Sequence, residues 1–381
     1  MDSRRLIQNA TIVSPDRVLP NASLLIENGR IAAFGATREL QIDDAAGVEV
    51  IDVGGNYLLP GLIDLHTDTL EKEITPRPAA DFPIDIAVQE LDRKLVGCGI
   101  TTVYHSLHFG YLEAEHNNRS RYTRRDVVDN VRAMAASHTL AKTRIHVRFE
   151  IAGHGPRVRD LVCALIDEGV VDLLSFMDHT PGQGQYTLSL FFERQKKNGL
   201  DEKAARASLA EKQNRPRLSF EEMRAVAQRA LALGIPIASH DDDTPEKVRQ
   251  MHELGVTICE FPVNLVAAQA ARACGQHVLG GASNVLRGGS LTGNLNVTEA
   301  IEAGAIDGLC SDYYPPAMLH AVFKLWRDQV LSLPQAVAAV SLVPAQAAGI
   351  AEETGSISVG KDADLIVIGM RGAAPVLVQT H

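Results

Sequence analysis

Eight short apolar runs rich in β-branched residues alternate with amphipathic helical stretches along the middle of this 381-residue chain. Such alternation is typical of repeated βα units around a parallel sheet that is buried on both faces. Eight units is the number in a (β/α)8 barrel, which usually takes about 250 residues. The runs are LIDLHTD (62–68), ITTVYHSL (100–107), IHVRFEI (145–151), VDLLSFMDH (171–179), IPIASHDD (235–242), VTICEFP (256–262), HVLGGAS (277–283) and DGLCSDYY (307–314). The sequence therefore predicts an α/β fold in which residues 61–345 form a TIM-like (β/α)8 barrel.

The two ends of the chain carry a different pattern. Short strands split by turn signals fill residues 1–60, with Asn28-Gly29 at a hairpin tip, and residues 346–381 continue in the same way. Because segments at opposite ends of a chain can pair in one sheet, we predict that they form a small β-sandwich domain beside the barrel. The long connection at 187–233 is rich in Lys, Glu, Ala and Arg, which predicts a helical insertion over one rim.

The charge balance restricts the partners of the protein. Its 37 basic and 47 acidic residues give a net charge of −10, which argues against a nucleic-acid or anionic-membrane surface. No apolar run of about 18 residues occurs, and residues 1–16 lack a secretory apolar block, so we expect a cytoplasmic protein without a membrane span. The five cysteines are scattered without a C-x-x-C pair, which indicates neither a disulfide framework nor a thiolate zinc site.

Most of the eight runs end in side chains of the hydrogen-bonding or metal-binding types. The carboxyl ends of the strands form the active-site face of such a barrel, and residues i and i+2 of a strand point to the same side. Three imidazoles and three carboxylates suit one or two divalent ions, with Zn expected first and Mn or Fe as alternatives. The six predicted ligands are His66, Asp68, Glu150, His179, His240 and Asp312.

Each of these residues taken alone also fits a structural role. A single histidine near a strand end is often a core residue, and Asp241-Asp242-Asp243 could cap a helix that begins near Pro245. The presence of six such residues at successive strand ends favours the metal site.

Several motifs carry a resemblance to a known family. PGLIDLHTD after a β segment, SHDD, SDYYP and the final GSISVGKDADLIVI resemble the amidohydrolase superfamily. The resemblance implies a metal-dependent hydrolase with a (β/α)8 barrel and a small β domain built from both termini. It also implies that Asp312, after strand eight, accepts the proton of the attacking water.

A narrower resemblance points to one branch of this superfamily, the hydrolases of the carbon–phosphorus lyase pathway. HTD, TPRP, MDHTPGQ and RGGS occur here in combination, and the similarity extends to about residue 367. It implies hydrolysis of a ribose 5-triphosphate between the α and β phosphorus atoms, with release of pyrophosphate. The expected partner is therefore a small, anionic, phosphorylated ribose derivative.

Such chemistry assigns roles to individual residues. Two ions about 3.5–4 Å apart can hold water and a phosphoryl oxygen in line, and Glu150 is the expected bridge between them. Phosphoryl transfer also needs cations and N–H donors on the phosphate oxygens. The predicted substrate-binding residues are Lys72, Arg77, Gln183, Asn284, Arg287, Gly288, Gly289 and Ser290.

Two positions depart from the pattern of the branch. Thr69 stands where Asn usually follows HTD, and Leu291 stands in place of a His within RGGS-x-x-GN. The run count also places His179 and His240 at strands four and five, whereas the superfamily usually has its later histidines at strands five and six. These departures bear on substrate preference and on ligand register.

Two other functions remain open at this point. A C–N amidohydrolase, such as a cyclic amidase or a deaminase, could use the same metal set without needing Arg77 and Arg287. A non-catalytic assembly protein could keep the barrel without its chemistry, although its expected signature is missing ligands. The sequence leaves the oligomeric state open, with a homo-oligomer among the options.

Overall fold

The strands and helices follow the predicted alternation. The computed structural model describes residues 4–38, 40, 47–77, 80–110, 121–136, 139–153, 156–290 and 293–381. The strands are β1 (Arg4–Val13), β2 (Val18–Glu27), β3 (Arg30–Ala36), β4 (Val48–Asp52), β5 (Tyr57–Pro60), β6 (Leu62–Thr67), β7 (Ile100–Phe109), β8 (Lys142–Glu150), β9 (Leu173–Met177), β10 (Ile237–His240), β11 (Ile258–Glu260), β12 (His277–Gly281), β13 (Gly308–Cys310), β14 (Leu365–Arg371) and β15 (Ala374–Thr380).

Helices separate the central strands. They are α1 (Thr69–Ile74), α2 (Ile84–Val96), α3 (Arg124–Ala135), α4 (Pro156–Asp167), α5 (Leu188–Lys197), α6 (Glu202–Gln213), α7 (Phe220–Ala232), α8 (Pro245–Glu253), α9 (Leu265–Ala273), α10 (Ala282–Arg287), α11 (Val297–Glu302), α12 (Ala317–Arg327), α13 (Leu333–Ala338) and α14 (Leu342–Ala347). The connection predicted as a helical insertion, residues 187–233, contains α5, α6 and α7. None of the described helices combines the length and apolar character needed to cross a bilayer.

Strands β6 to β13 form one parallel sheet in chain order, which confirms the predicted barrel. The two edge strands meet through a bridge between Thr67 and Asp312. The Asp312 amide donates to the His66 carbonyl at 2.9 Å, and the Asp68 amide donates to the Asp312 carbonyl at 2.8 Å. The closure of the barrel therefore brings the ends of its first and last strands together.

Apolar side chains fill the barrel on both faces of its sheet. A ring that includes Ile63, Leu173 and Ile258 points inward near the amino-terminal ends of the strands. Ala348 and Ile350 belong to the same cluster and close this end of the barrel. The sequence analysis assigned these two residues to the small domain, but they pack with the barrel. The limits of the two domains stay a prediction.

Both chain ends contribute to a second, mixed sheet, as predicted. Its strand order is β15-β14-β5-β1-β2-β3, with β4 paired to β1. Strand β1 joins β5, β14 and β15 on one side to β2 and β3 on the other. The two sides share one apolar core that includes Leu24 from β2 and Leu365 from β14. Asn28 and Gly29 have φ values of 52° and 76°, so the predicted hairpin tip is a turn with two left-handed residues.

Lys142 joins the barrel to the terminal sheet. Its Nζ lies 2.6 Å from Asp362 Oδ2 and 2.7 Å from Asp364 Oδ2. Replacing Lys142 with Met leaves these two carboxylates without their shared cation, so we expect the free energy of unfolding to fall by about 1 kcal/mol in urea titrations. The control Lys324→Met removes an i,i+4 pair with Asp328 and should cost less than about 0.5 kcal/mol. Equal stability of the two variants would contradict the prediction.

Candidate metal centre

The first strand and the last strand of the barrel supply one group of metal-binding side chains. His66 lies near the end of β6 and is fully buried, Asp68 immediately precedes α1, and Asp312 follows β13. One ligand atom from each of the three lies within 4.8 Å of the others. We call these three residues the first ligand group.

A buried carboxylate holds the two strands of this group in register. Asp64 Oδ1 accepts hydrogen bonds from the Ser311 amide at 3.0 Å and the His66 amide at 3.4 Å. Burial raises the pKa of Asp64 to about 6. Burial likewise raises the pKa of Asp312 to about 6. The barrel closure therefore fixes the first ligand group through backbone contacts as well as side chains.

A second group lies across the rim and includes a residue that the sequence did not single out as a ligand. His179 follows β9, His240 ends β10, and Asp241 comes next with a left-handed φ of 55°. Asp241 Oδ2 lies 3.3 Å from His240 Nδ1 and 3.9 Å from His179 Nε2. We call these three residues the second ligand group.

The Asp-Asp-Asp run does not cap the helix that follows it. The cap of α8 is Thr244, whose hydroxyl accepts from the Lys247 amide. Asp242 accepts from the Ser239 hydroxyl at 2.5 Å, and Asp243 accepts from the Gly184 amide at 3.1 Å. Asp241 is thus the member of the run that faces the metal centre.

Glu150 contacts His179 and not the first ligand group. One Glu150 oxygen accepts from the His179 amide at 3.0 Å, and the other lies 2.6 Å from His179 Nδ1. Burial alone would raise the pKa of Glu150, but His108 and His179 hold it well below its usual range. Within the described residues, Glu150 groups with these two histidines only. Glu150 therefore fixes the orientation of His179, and its role as a bridge between two ions stays a prediction.

Glu260 at the end of β11 is a site residue that the sequence analysis missed. It is fully buried, and its Oε2 lies 3.2 Å from His66 Nδ1 and 4.0 Å from His146 Nε2. Burial alone would lower the pKa of His66, but Glu260 raises it to about 9. Its position at the end of the sixth predicted strand was the sequence feature that could have identified Glu260 as a site residue. All eight predicted strands are present, so His179 and His240 do follow strands four and five, and strand six ends in Glu260.

Arg148 is the second residue that the sequence analysis missed. It lies on β8 between His146 and Glu150, two residues from each, and all three side chains point into the barrel. Arg148 Nη1 donates to Asp68 Oδ1 at 2.6 Å, and Nη2 donates to His240 Nε2 at 3.4 Å. The guanidinium therefore lies between the first and second ligand groups.

The donor atoms of the centre fit a divalent cation. Buried nitrogen and oxygen atoms of His66, Asp241 and Glu260 have no hydrogen-bond partner among the described residues. Unpaired buried polar atoms cost free energy, and a bound cation satisfies them. Imidazole and carboxylate ligands together suit Zn, Mn or Fe. The residues present thus match the predicted cofactor class.

A cavity of about 450 Å³ opens over the metal centre. Asp68, His179, His240 and Asp312 form part of its floor. The cations on its wall are Arg148, Arg194 from the insertion helix α5, and Arg287 at the end of α10. The sequence had singled out only Arg287 among these three.

Several predicted substrate-binding residues are not part of the described lining of this cavity. Lys72 is exposed on α1, with Nζ 6.0 Å from the centre of the Tyr313 ring, and Arg77 is exposed beyond the same helix. Neither they nor Gln183 are among the described residues that line the cavity, whereas the neighbouring Gln185 is. Lys72 nevertheless lies beside Tyr313, which does line the cavity, and its charge acts on Asp312.

The Arg-Gly-Gly-Ser turn is used differently from the prediction. The amides of Gly288 and Gly289 both donate to the Asn284 carbonyl at 3.1 Å. They end α10 and are not free for phosphate, although Gly289 and Ser290 do line the cavity. The Asn284 side chain bonds the Leu295 carbonyl at 3.0 Å and so holds the loop in shape while also lining the cavity.

Of the two positions that depart from the branch pattern, only Thr69 lies among the described residues. Thr69 begins α1, and its hydroxyl lies 3.0 Å from that of Thr67 beside the first ligand group. Leu291 lies outside the described residues.

A (β/α)8 barrel with histidines and carboxylates gathered at the carboxyl ends of its strands defines a class of barrel hydrolase. The sequence model of the amidohydrolase family matches residues 57–378, and the chain belongs to that family. It is 35% identical over 95% of its length to alpha-D-ribose 1-methylphosphonate 5-triphosphate diphosphatase of Escherichia coli strain K12, and covers 94% of that protein.

Other relatives are more distant. An imidazolonepropionase of Cupriavidus pinatubonensis is 25% identical over 93% of this chain and 84% of its own. Among solved structures, a putative prolidase from Bifidobacterium longum matches with a TM-score of 0.66 at 20% identity, covering 96% of this chain and 88% of that one. N-acetylglucosamine-6-phosphate deacetylase from Pasteurella multocida matches with a TM-score of 0.64 at 14% identity, over 99% and 98% of the two chains. These structures support the fold.

Proposed function

We propose that this protein hydrolyses the α–β phosphoanhydride of alpha-D-ribose 1-methylphosphonate 5-triphosphate to the 5-phosphate and pyrophosphate, in phosphonate breakdown. The observation that carries the proposal is the set of three arginines, Arg148, Arg194 and Arg287, on the wall of the cavity above the candidate metal centre. A chain of net charge −10 that binds a triphosphate needs such local cations. The E. coli relative, which acts on this substrate by its name, supports the same choice.

The residues of the site suit in-line attack on phosphorus. A divalent ion held by the first ligand group would bring the pKa of a water molecule to near 7 and polarise a phosphoryl oxygen. Asp312 accepts the proton of the attacking water at its carboxylate. Arg194 and Arg287 bind non-bridging oxygens of the β and γ phosphates, where negative charge is greatest.

Phosphorus NMR of the products tests the proposal. The purified protein, loaded with Zn or Mn, should convert the ribose triphosphate to the 5-phosphate and pyrophosphate in equal amounts. Release of inorganic phosphate would show cleavage between the β and γ atoms and would contradict the proposed bond. Hydrolysis of a cyclic amide with no action on the triphosphate would instead favour a C–N amidohydrolase.

Loss of either cavity arginine should weaken substrate binding. We expect Arg194→Ala and Arg287→Ala each to raise KM for the triphosphate by about 10- to 100-fold, since a hydrogen bond to a charged group contributes about 1.5–3 kcal/mol. Initial rates across substrate concentration measure this effect. Arg206→Ala on α6 removes an arginine of the same insertion that pairs with Glu202 outside the cavity, and KM should not change. Unchanged KM in the two cavity variants would rule out their assigned role.

A further inference from the structure

Arg194 reaches the cavity from its insertion helix and stacks on an aromatic ring. It lies on α5, and its guanidinium carbon is 5.1 Å from the centre of the Tyr186 ring. Arg194 and Gln185 line the cavity, whereas Tyr186 is not among the described residues that do so. Tyr186 therefore acts on a ligand in the cavity through Arg194 rather than by direct contact.

This stacking leaves the hydrogen-bond donors of Arg194 free. Within the described parts of the chain, no carboxylate pairs with its guanidinium. An aromatic ring contacts the face of a guanidinium, while the five N–H donors lie in the guanidinium plane and point outward from its edge. A carboxylate partner would instead occupy those donors and neutralise the charge. The ring thus supports the side chain and keeps its donors available for an anion.

A buried aromatic residue fixes the Tyr186 ring from the other side. Phe191 is fully buried, and its ring lies 6.1 Å from that of Tyr186 at an angle of 80°. Phe192 packs on Phe191 in the same edge-to-face manner, at 5.5 Å. Aromatic pairs favour this geometry at such distances. The Tyr186 ring therefore connects the buried side of α5 to the exposed guanidinium of Arg194.

The backbone of Tyr186 belongs to a glycine-rich turn that contacts the rim of the barrel. The Tyr186 amide donates to the Gln183 carbonyl at 3.0 Å, and the Gly184 amide donates to Asp243 Oδ2 at 3.1 Å. Gly184 has a left-handed φ of 53°, and a Cβ atom there would lie 2.9 Å from the Asp241 carbonyl oxygen. Only glycine fits this close approach. The turn therefore fixes Tyr186 relative to the rim.

We propose that Tyr186 is a positioning residue that holds Arg194 over the cavity, where the arginine binds phosphate groups of the substrate. Ordering a long side chain costs conformational entropy, and a contact that orders it beforehand lowers this cost on binding. The inference rests on the phosphate-binding role of Arg194 in the proposed function, but it does not depend on which bond is cleaved. It also gives a role to PGQGQY (residues 181–186), whose Gln183 is outside the described cavity lining.

Binding of inorganic pyrophosphate tests the proposal without measuring turnover. Calorimetry on the metal-loaded protein, with equal free Mn²⁺ in cell and syringe, should give a dissociation constant about 2- to 5-fold higher for Tyr186→Leu, because an exposed cation–π contact is lost. Leucine keeps an apolar contact with Phe191, so the turn should stay folded. Tyr186→Phe keeps the ring face and should bind as the unaltered protein does. Unchanged binding in Tyr186→Leu, or no pyrophosphate binding by the unaltered protein, would overturn the proposal.

A double-mutant cycle separates positioning from a general effect on the insertion. If the ring acts through the arginine, Tyr186→Leu should cause no further loss of affinity in the Arg194→Ala background. A loss of the same size in that background would contradict the proposal.

The matched control is Phe220→Leu on α7. It removes a ring whose centre lies 4.8 Å from the guanidinium carbon of Arg224, and neither residue lines the cavity, so pyrophosphate binding should not change. The inference and the proposed function fail separately, because a protein that does not cleave the triphosphate can still show the coupling between Tyr186 and Arg194.

Discussion

Asp312→Asn is expected to lower kcat for pyrophosphate release by about 10²- to 10⁴-fold, the usual contribution of a general base. The substitution removes the negative charge that accepts a proton and weakens one member of the first ligand group. It keeps the backbone, because Asp312 has a left-handed φ of 59° and Asn tolerates that conformation well. The hydrogen bonds that Asp312 makes with His66 and Asp68 across the barrel closure use main-chain atoms and remain. Stopped assays of pyrophosphate at saturating substrate measure the loss.

The control for this variant flanks the same strand, β13, at its other end. Asp307→Asn makes the same substitution at the residue just before β13. There Asp307 pairs with Arg272, away from the cavity. Its kcat should match that of the unaltered protein. The metal content of Asp312→Asn, measured by elemental analysis, separates loss of the base from loss of the ion. Full activity in Asp312→Asn with metal bound would exclude the assigned role.

Removal of the metal ion is expected to abolish turnover and to lower the melting temperature by several degrees. The buried ring nitrogens of His66, a member of the first ligand group, and the buried oxygens of Glu260 beside it have no hydrogen-bond partner among the described residues. An ion present at 100 times its Kd stabilises the folded state by about 2.7 kcal/mol. Each kcal/mol shifts the melting temperature by about 2–4 °C for a chain of 150–250 residues, and by less for a longer one.

Differential scanning calorimetry with and without a chelator measures this effect, and readdition of Zn, Mn or Fe should restore both activity and melting temperature. Chelator already saturated with Zn serves as the control and should change neither. The metal that restores the highest melting temperature identifies the preferred ion. Identical melting curves for metal-free and metal-loaded protein would argue against a structural contribution of the ion.

Part of the site could be predicted because it follows from local periodicity. His66 and Asp68 are two residues apart at the end of an apolar run, and Asp312 lies near the end of the eighth run. In a closed barrel the first and last strands are neighbours, so a correct strand count already predicts that these residues meet. The structure places them in one group within 4.8 Å.

Other parts of the site depend on contacts between residues far apart in the chain. Arg148 reaches Asp68, 80 residues away, and His240, 92 residues away. Arg194 reaches the cavity only because of the way the insertion packs over the rim. The expected roles of Lys72 and Arg77 rested on proximity in sequence to the first strand, but both are exposed and neither is among the described residues that line the cavity.

The sequence by itself determined the barrel, the terminal sheet, the family and the six rim residues, because strand periodicity and strand order are local properties of the chain. The tertiary structure alone decided which of those residues lie together in each ligand group. It paired Glu150 with His179, placed Glu260 beneath His66 and set Arg148 between the two ligand groups. The physical reason is that ligand, base and ion-pair roles depend on distances of a few ångströms between strands, and side-chain packing across the barrel sets those distances.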